Sequence, residues 1–301
     1  FVKYFYIFYF LRGYMSWSFK EVIPKIGTIT EGACWNGSLL LFSNISENRI
    51  LSFNPETNEL NEIIKDTGGA NGLNFNKDGK LFACEGIRRQ LSIYHDTGKK
   101  ECIVDSHDNK KINSPNDLAI TPFGSIYFSD RVGDINPEVG LMYSAIISAE
   151  PMEDGSYKTY RRTFDTSMPN GLLFSKNYDE LYVAQSDYRA DQKRELRSYK
   201  VNKDGSLNEM KVLHDFGPHR GIDGMTLSDD GLIVACTGWE ISGSGGNITI
   251  FDNKGRIIET HPTPCERPTN CTLVGNKLYV TSIEGHLLVA ETDLNGYLLW
   301  P

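Results

Sequence analysis

The chain has 301 residues, with 31 Lys and Arg against 39 Asp and Glu, a formal charge of -8. That acidic balance argues against a nucleic-acid partner, because phosphate backbones select basic surfaces. No apolar run approaches the roughly twenty residues that cross a bilayer, so no membrane span is expected.

In chain order, residues 1–10 are strongly aromatic, broken by Lys3, and followed by Met15. Residues 1–15 stand apart as an unexplained aromatic leader, read as upstream read-through or a truncated leader, with the remnant of a secretory apolar region as another reading. Residues 17–23 then read as a strand standing before the first repeat. From there a pattern recurs: an acidic or amide residue, a small residue, an apolar run, a turn, and a strand ending in small residues. Thr30-Glu31-Gly32-Ala33-Cys34-Trp35 opens it. Asn71-Gly72-Leu73, Pro115-Asn116-Asp117-Leu118, Pro169-Asn170-Gly171-Leu172 and Asp223-Gly224-Met225 follow, with Thr269-Asn270-Cys271 at the back. Second strands follow at Leu81-Phe82-Ala83-Cys84, Ile126-Tyr127-Phe128-Ser129-Asp130, Leu181-Tyr182-Val183-Ala184 and Ile233-Val234-Ala235-Cys236. Third strands are read at Gln90-Leu91-Ser92-Ile93-Tyr94, Gly140-Leu141-Met142-Tyr143, Glu195-Leu196-Arg197-Ser198-Tyr199 and Asn247-Ile248-Thr249-Ile250-Phe251 from their alternation and β-branched or aromatic content. Turns at Asp96-Thr97-Gly98, Lys203-Asp204-Gly205 and Asn253-Lys254-Gly255 close the outer hairpins.

Anchors at 31, 71, 116, 170, 223 and 270 give a spacing near forty to fifty residues, the period of a β-propeller. The expected fold is all-β: one domain over residues 16–301, a six-bladed propeller of four-stranded antiparallel blades around a central channel. The strand at 17–23 would complete the last blade and remove its free edge. Polar or Gly/Ser-rich insertions at 131–139, 186–194 and 241–246 would emerge on the face where the repeats begin, as candidate lids.

The six cysteines include no CxxC pair. Cys84 and Cys236 share one place in their repeats, as small apolar residues do, so a reduced, cytoplasmic protein is expected. Secretion or a periplasmic address goes with the leader reading, and Cys265 and Cys271 are kept as a candidate pair.

Because the innermost strands of a propeller line its channel, Glu31, Asn71, Asn116, Asn170 and Asp223 would form a ring of side-chain oxygens, with Asn270 as a sixth. Hard dications take several such oxygens at once, and no His or Cys occupies an anchor. Asn-Gly and Asp-Gly taken singly are turn dipeptides. Recurrence at one phase, and a Glu at the first anchor, favour a ligand ring. His219 and Arg220, just before Asp223, read as a solvated loop pair, with His219 kept as a candidate at the pocket rim. No GxSxG elbow and no Ser triad context are present.

These motifs together resemble the SMP-30/gluconolactonase/luciferin-regenerating family of six-bladed propellers. The resemblance rests on Glu31-Gly32 followed by Trp35, Asn113-Ser114-Pro115-Asn116-Asp117, Tyr127-Phe128-Ser129-Asp130, Pro169-Asn170-Gly171 and Asp223-Gly224-Met225, and covers nearly the whole chain from Ser18. It implies one divalent cation, most often Ca2+ with Zn2+, Mn2+ or Mg2+ as alternatives, held by Glu31, Asn170 and Asp223, with Asn116 beside it on cation or substrate. It implies hydrolysis of sugar lactones or related cyclic esters. Ser114 stands where the regucalcin branch carries a substrate-binding Arg, and the Ser-Pro-Asn-Asp form matches the gluconolactonase side better.

The expected activity is therefore metal-dependent opening of a small lactone by water. Asp223 is the first candidate for the base and Asp130 the second, and Asn116, Ser114, Asn71 and His219 are the substrate-binding candidates. A phosphotriesterase on the same metal, or a non-catalytic propeller with a structural cation, are the rival readings. The partner expected is a small-molecule lactone.

Overall fold

The computed structural model describes residues 16–95, 98–132 and 140–297. The aromatic stretch at 1–15, two residues of the turn at 96–98 and most of the insertion at 131–139 lie outside the described residues. Six four-stranded antiparallel sheets follow one another along the chain, each running in sequence from an inner to an outer strand. The first blade shows the pattern: Thr30–Trp35, Leu40–Asn44, Arg49–Asn54 and Glu59–Lys65. Its second strand is buried throughout, whereas its outer strand is mostly exposed, because a middle strand has neighbouring blades on both faces and an outer strand meets water. A small hairpin, Ser106–His107 with Lys110–Lys111, stands apart from the blades.

The sixth blade closes the ring. Its strands Pro268–Val274, Lys277–Ser282 and Leu287–Glu291 receive Lys20–Ile23 as the outermost strand, with Lys20 opposite Val289. Ahead of that strand, Trp17 stacks on His261 of the fifth blade at 3.9 Å between ring centroids. The Trp17 backbone N–H also donates to His261 Nδ1 at 3.1 Å.

The core lies between blades. One apolar cluster joins Phe82, Cys84 and Leu91 of blade two to Leu118, Ile120 and Phe128 of blade three. Another joins Tyr279 and Leu287 of blade six, with Ile23, to Leu40 and Phe42 of blade one. Each fully buried Phe or Leu contributes about 1.5–3 kcal/mol relative to exposure, so neighbouring blades stabilise each other. Cys84 and Cys236 sit in two such clusters as packing residues. All six cysteines are free, and Cys265 and Cys271, both buried, do not pair.

The third strand of blade three departs from the sequence expectation. It runs Ala145–Pro151, not 140–143, with Asp130 opposite Ala145. The reason is packing: Ala145, Ile146 and Ile147 are wholly buried, whereas Met142 is 70% exposed. Residues 140–143 belong to the crossing loop.

Candidate active site in the propeller channel

Five of the six inner strands begin at one end of the channel with a bulge. In blade four, Pro169 pairs with Gln185 but Leu172 pairs with Val183, so Asn170 and Gly171 lie in the irregular step. The same shift occurs between Glu31 and Cys34, Ala70 and Leu73, Pro115 and Leu118, and Pro268 and Cys271. A bulge re-aims a side chain that regular pleating would direct into the sheet. It also brings inner strands together: Gly171 N–H donates to Asp223 O of the next blade at 2.9 Å, and Gly224 N–H to Thr269 O at 2.7 Å. A Cβ on Gly171 would stand 2.3 Å from Asp223 O, so only glycine permits this approach.

The bulge register shows two tiers. Glu31, Asn71, Asn116 and Asn170 share the first, and Thr269 holds its sixth place; in blade five the Asp223 N–H donates to Cys236 O while Gly224 O accepts the Cys236 N–H, which sets Asp223 on that same tier. Asn270, expected as the sixth ring member, falls one residue later, on the tier of Gly32, Gly72, Asp117, Gly171 and Gly224. The amide stands one residue past the phase of the repeat, because the strand pairing starts at Pro268.

On the first tier, Asn170 Nδ2 donates to Asp223 Oδ1 at 2.7 Å. Arg220 Nη2 donates to the other carboxylate oxygen, Oδ2, at 2.5 Å. Glu31 and Asn116 are buried, and Asn71 is half-buried. Burial pushes the Glu31 carboxyl well up, the Asp223 and Asp117 charges push it further, and the Gly32 N–H and Asn270 oppose them. On the second tier, Asn270 Nδ2 reaches Asp117 Oδ2 at 3.3 Å. Burial pushes Asp117 up to about 7, against hydrogen bonds from Leu118 N–H and Asn270. Glu31, Asp117 and Asp223 thus form one interacting group of carboxyls. Below the second tier, a cavity of about 130 Å³ is lined by Cys34, Leu118, Leu172, Met225 and Tyr297 as well as Asp117 and Asn270. None of the first-tier residues lines it.

Other candidates lie away from the ring. Asp130 is wholly buried; its Oδ2 accepts the Asn113 N–H at 2.9 Å, while Oδ1 has no hydrogen-bond partner among the described residues. Burial pushes its carboxyl up to about 7. Its neighbours are the loop leading into Asn116. Equivalent positions in other blades do the same: Asn44 donates to Thr28 O, and Gln185 accepts from Ser167 N–H. Ser114 is half-buried, its Oγ against Gly86 of the neighbouring blade. His219 is exposed and contacts Ser242 O through Nδ1 at 2.5 Å.

Arg220 corrects the sequence reading. It is not a solvated loop residue: its side chain is 2% exposed. Asp117 was also missed as a site residue. Its one signal was a carboxylate at a phase that four other repeats fill with glycine.

Among the described residues, no group of three or more His, Cys, Asp or Glu side chains is arranged to hold a metal ion, so a cation here would need amide oxygens as well. The donor chemistry meets that need. Glu31, Asn116, Asn170 and Asp223 offer only hard oxygens, the Asn170 amide nitrogen is already turned to Asp223, and the buried carboxyls repel one another.

Comparison with known proteins shows the fold and the family of the chain. The gluconolactonase of Zymomonas mobilis subsp. mobilis is 27% identical over 265 residues, covering 79% of this chain and 70% of that protein. The solved gluconolactonase of Xanthomonas campestris superposes with a TM-score of 0.78 at 24% identity, covering 92% of this chain and 89% of that one. A calcium-binding regucalcin from Agrobacterium tumefaciens has the same fold, with a TM-score of 0.75 at 16% identity over 94% and 96% of the two chains. The SMP-30/Gluconolactonase/LRE-like region matches residues 29–284, and the chain belongs to that family.

Proposed function

We propose that this chain is a lactonase that opens a small hydroxylated lactone with water, dependent on one divalent cation, calcium by preference. The observation that carries the reading is the Asp223 carboxylate held between Asn170 and Arg220 on a ring that also carries buried Glu31 and Asn116, in a gluconolactonase-like chain. Glu31, Asn170 and Asp223, with Asn116 beside them, would hold the cation. When bound, it would supply Lewis-acid polarisation of the lactone carbonyl.

The chain's own groups do the rest. Asp223 accepts the proton of the attacking water, and the Asn170 amide keeps its carboxylate turned into the channel. Asn116 and Asn71 offer amides to the substrate carbonyl and hydroxyls, with Ser114 and His219 further toward the rim. Asp130 acts at one remove, by bracing the loop that carries Asn116. No Ser or Cys nucleophile with a base partner is legible in the sequence, so water is the attacking group.

A panel of aldonolactones, homoserine-type lactones and a phosphotriester, assayed by acid release with and without chelator, tests this. Aldonolactone opening that chelator stops, and that Asp223→Asn abolishes, is expected. Reaction of the phosphotriester alone, or calcium binding with no reaction, would overturn it.

A further inference from the structure

Arg220 is a channel residue that the family reading leaves without a role. Its guanidinium bonds residues of blades four, five and six. Nη2 bonds Asp223 Oδ2 at 2.5 Å; Nη1 and Nη2 bond Pro268 O at 3.0 and 3.1 Å; Nη1 also bonds Gly238 O at 2.9 Å. Nε lies 3.4 Å from the Tyr188 hydroxyl, and Tyr188 is half-exposed on the loop at residues 187–193. One planar group therefore joins the base of the inner strand of blade six, the end of the second strand of blade five, the crossing loop of blade four and a ring carboxylate. Burying a guanidinium is costly unless its donors are satisfied, and here two main-chain carbonyls fix its plane independently of Asp223.

We infer that Arg220 is a positioning residue: it is anchored on the carbonyls of Pro268 and Gly238, and from there it sets the rotamer in which Asp223 faces the channel. The inference rests on the functional reading above for what Asp223 does, but not for what Arg220 does to Asp223. A mere counter-charge makes a different prediction. A guanidinium repels a dication, so removing a simple counter-charge would tighten calcium binding. Removing a positioning group would loosen it, despite the relief of repulsion. Lysine separates these further, since it keeps the charge but not the planar fork.

The test compares wild type, R220M, R220K, D223N and R220M/D223N, with calcium affinity by calorimetry beside lactone kinetics. R220M and R220K should each weaken calcium binding by about tenfold, the lower end for loss of a group that orients a ligand. R220M should lower kcat by about 100-fold with KM within about threefold, as misplacement of a reacting group does. R220M should add nothing to D223N in calcium affinity, because the two act as one unit. Unchanged or tighter calcium binding in R220M, wild-type behaviour of R220K, or additive losses in the double variant would overturn the inference. If R220M does not fold, R220K carries the same measurements. If the wild type opens no lactone and binds no calcium, the functional reading fails by itself. The metal-free crystal structure of R220K then decides: Asp223 in more than one rotamer supports positioning, and Asp223 unmoved overturns it.

Discussion

Asp117 of the third blade and Asn270 of the sixth meet across the channel, Nδ2 to Oδ2, at 3.3 Å. Blades three and six stand opposite each other in a ring of six, so this single contact bridges the channel from wall to wall. It separates the ring of Glu31, Asn170 and Asp223 from the cavity beneath, which explains why that cavity is lined by second-tier and not first-tier residues. The chemistry proposed for this chain belongs above the bridge.

If Glu31 and Asp223 above the bridge share a dication, removing it must cost stability. Chelation should lower the melting temperature and added calcium should restore it. Saturation to about 100 times Kd corresponds to about 2.7 kcal/mol. A transition indifferent to chelator and to calcium, with no metal found by elemental analysis, would exclude a cation at the ring.

The two buried ring asparagines should differ. Asn170 touches Asp223 directly at 2.7 Å, so Asn170→Ala should weaken calcium affinity. Asn116→Ala should chiefly lower turnover. Calcium titration and kinetics on the same preparations check this; equal loss of affinity in both would make Asn116 an obligatory ligand.

Gly171→Ala should be among the most damaging single methyl additions. The new Cβ would meet the Asp223 carbonyl oxygen at 2.3 Å, and that oxygen already accepts the Gly171 N–H. Backbone atoms cannot rotate away, so blades four and five must part. A loss of about 3 kcal/mol in chemical denaturation, the upper range for overpacking, is expected, together with weaker calcium binding. Wild-type stability would show that the inner strands can slide.

His261 gives the closure of the ring a pH dependence. Burial pushes its imidazole down to about 4, and Nδ1 must stay unprotonated to accept the Trp17 N–H. The unfolded residue titrates near about 6.5, so between those values the unfolded chain binds more protons. Stability from this source is full above about 6.5 and falls as pH drops toward 4. Melting curves across that window should show the decline, and His261→Gln should flatten it; an unchanged slope would remove His261 as the cause.

Much of this was legible because a propeller writes its period into the sequence. Glu31, Asn116, Asn170 and Asp223 fall in one phase, and the backbone pairing at the strand starts puts them on one tier. Asn270 was misplaced by a residue because amide identity is a weaker guide to phase than the preceding Pro268, which pairs with Ser282 as Pro115 pairs with Asp130. Arg220 was read as solvated because its partners are main-chain carbonyls of Gly238 and Pro268, far along the chain, and carbonyls leave no mark on a sequence. Asp130 looked catalytic from its place in the motif, but full burial against Asn113 is a property of the folded loop. The third strand of blade three was set too early because Leu141 and Tyr143 alternate like a strand without a partner to pair with.

The outermost strand of blade six, Lys20–Ile23, also bears on how the molecule is made. During synthesis it leaves the ribosome first among the six-blade elements, yet its partner, Leu287–Glu291, emerges near the end. For most of translation it is an unpaired strand carrying Val22 and Ile23, and the sixth sheet lacks its rim. The long-range pairing that shuts the ring is thus the slowest class of contact to form. Until it forms, nascent chains expose one open sheet edge at the seam, where copies of this protein would stick to each other if chaperones or brisk completion did not intervene.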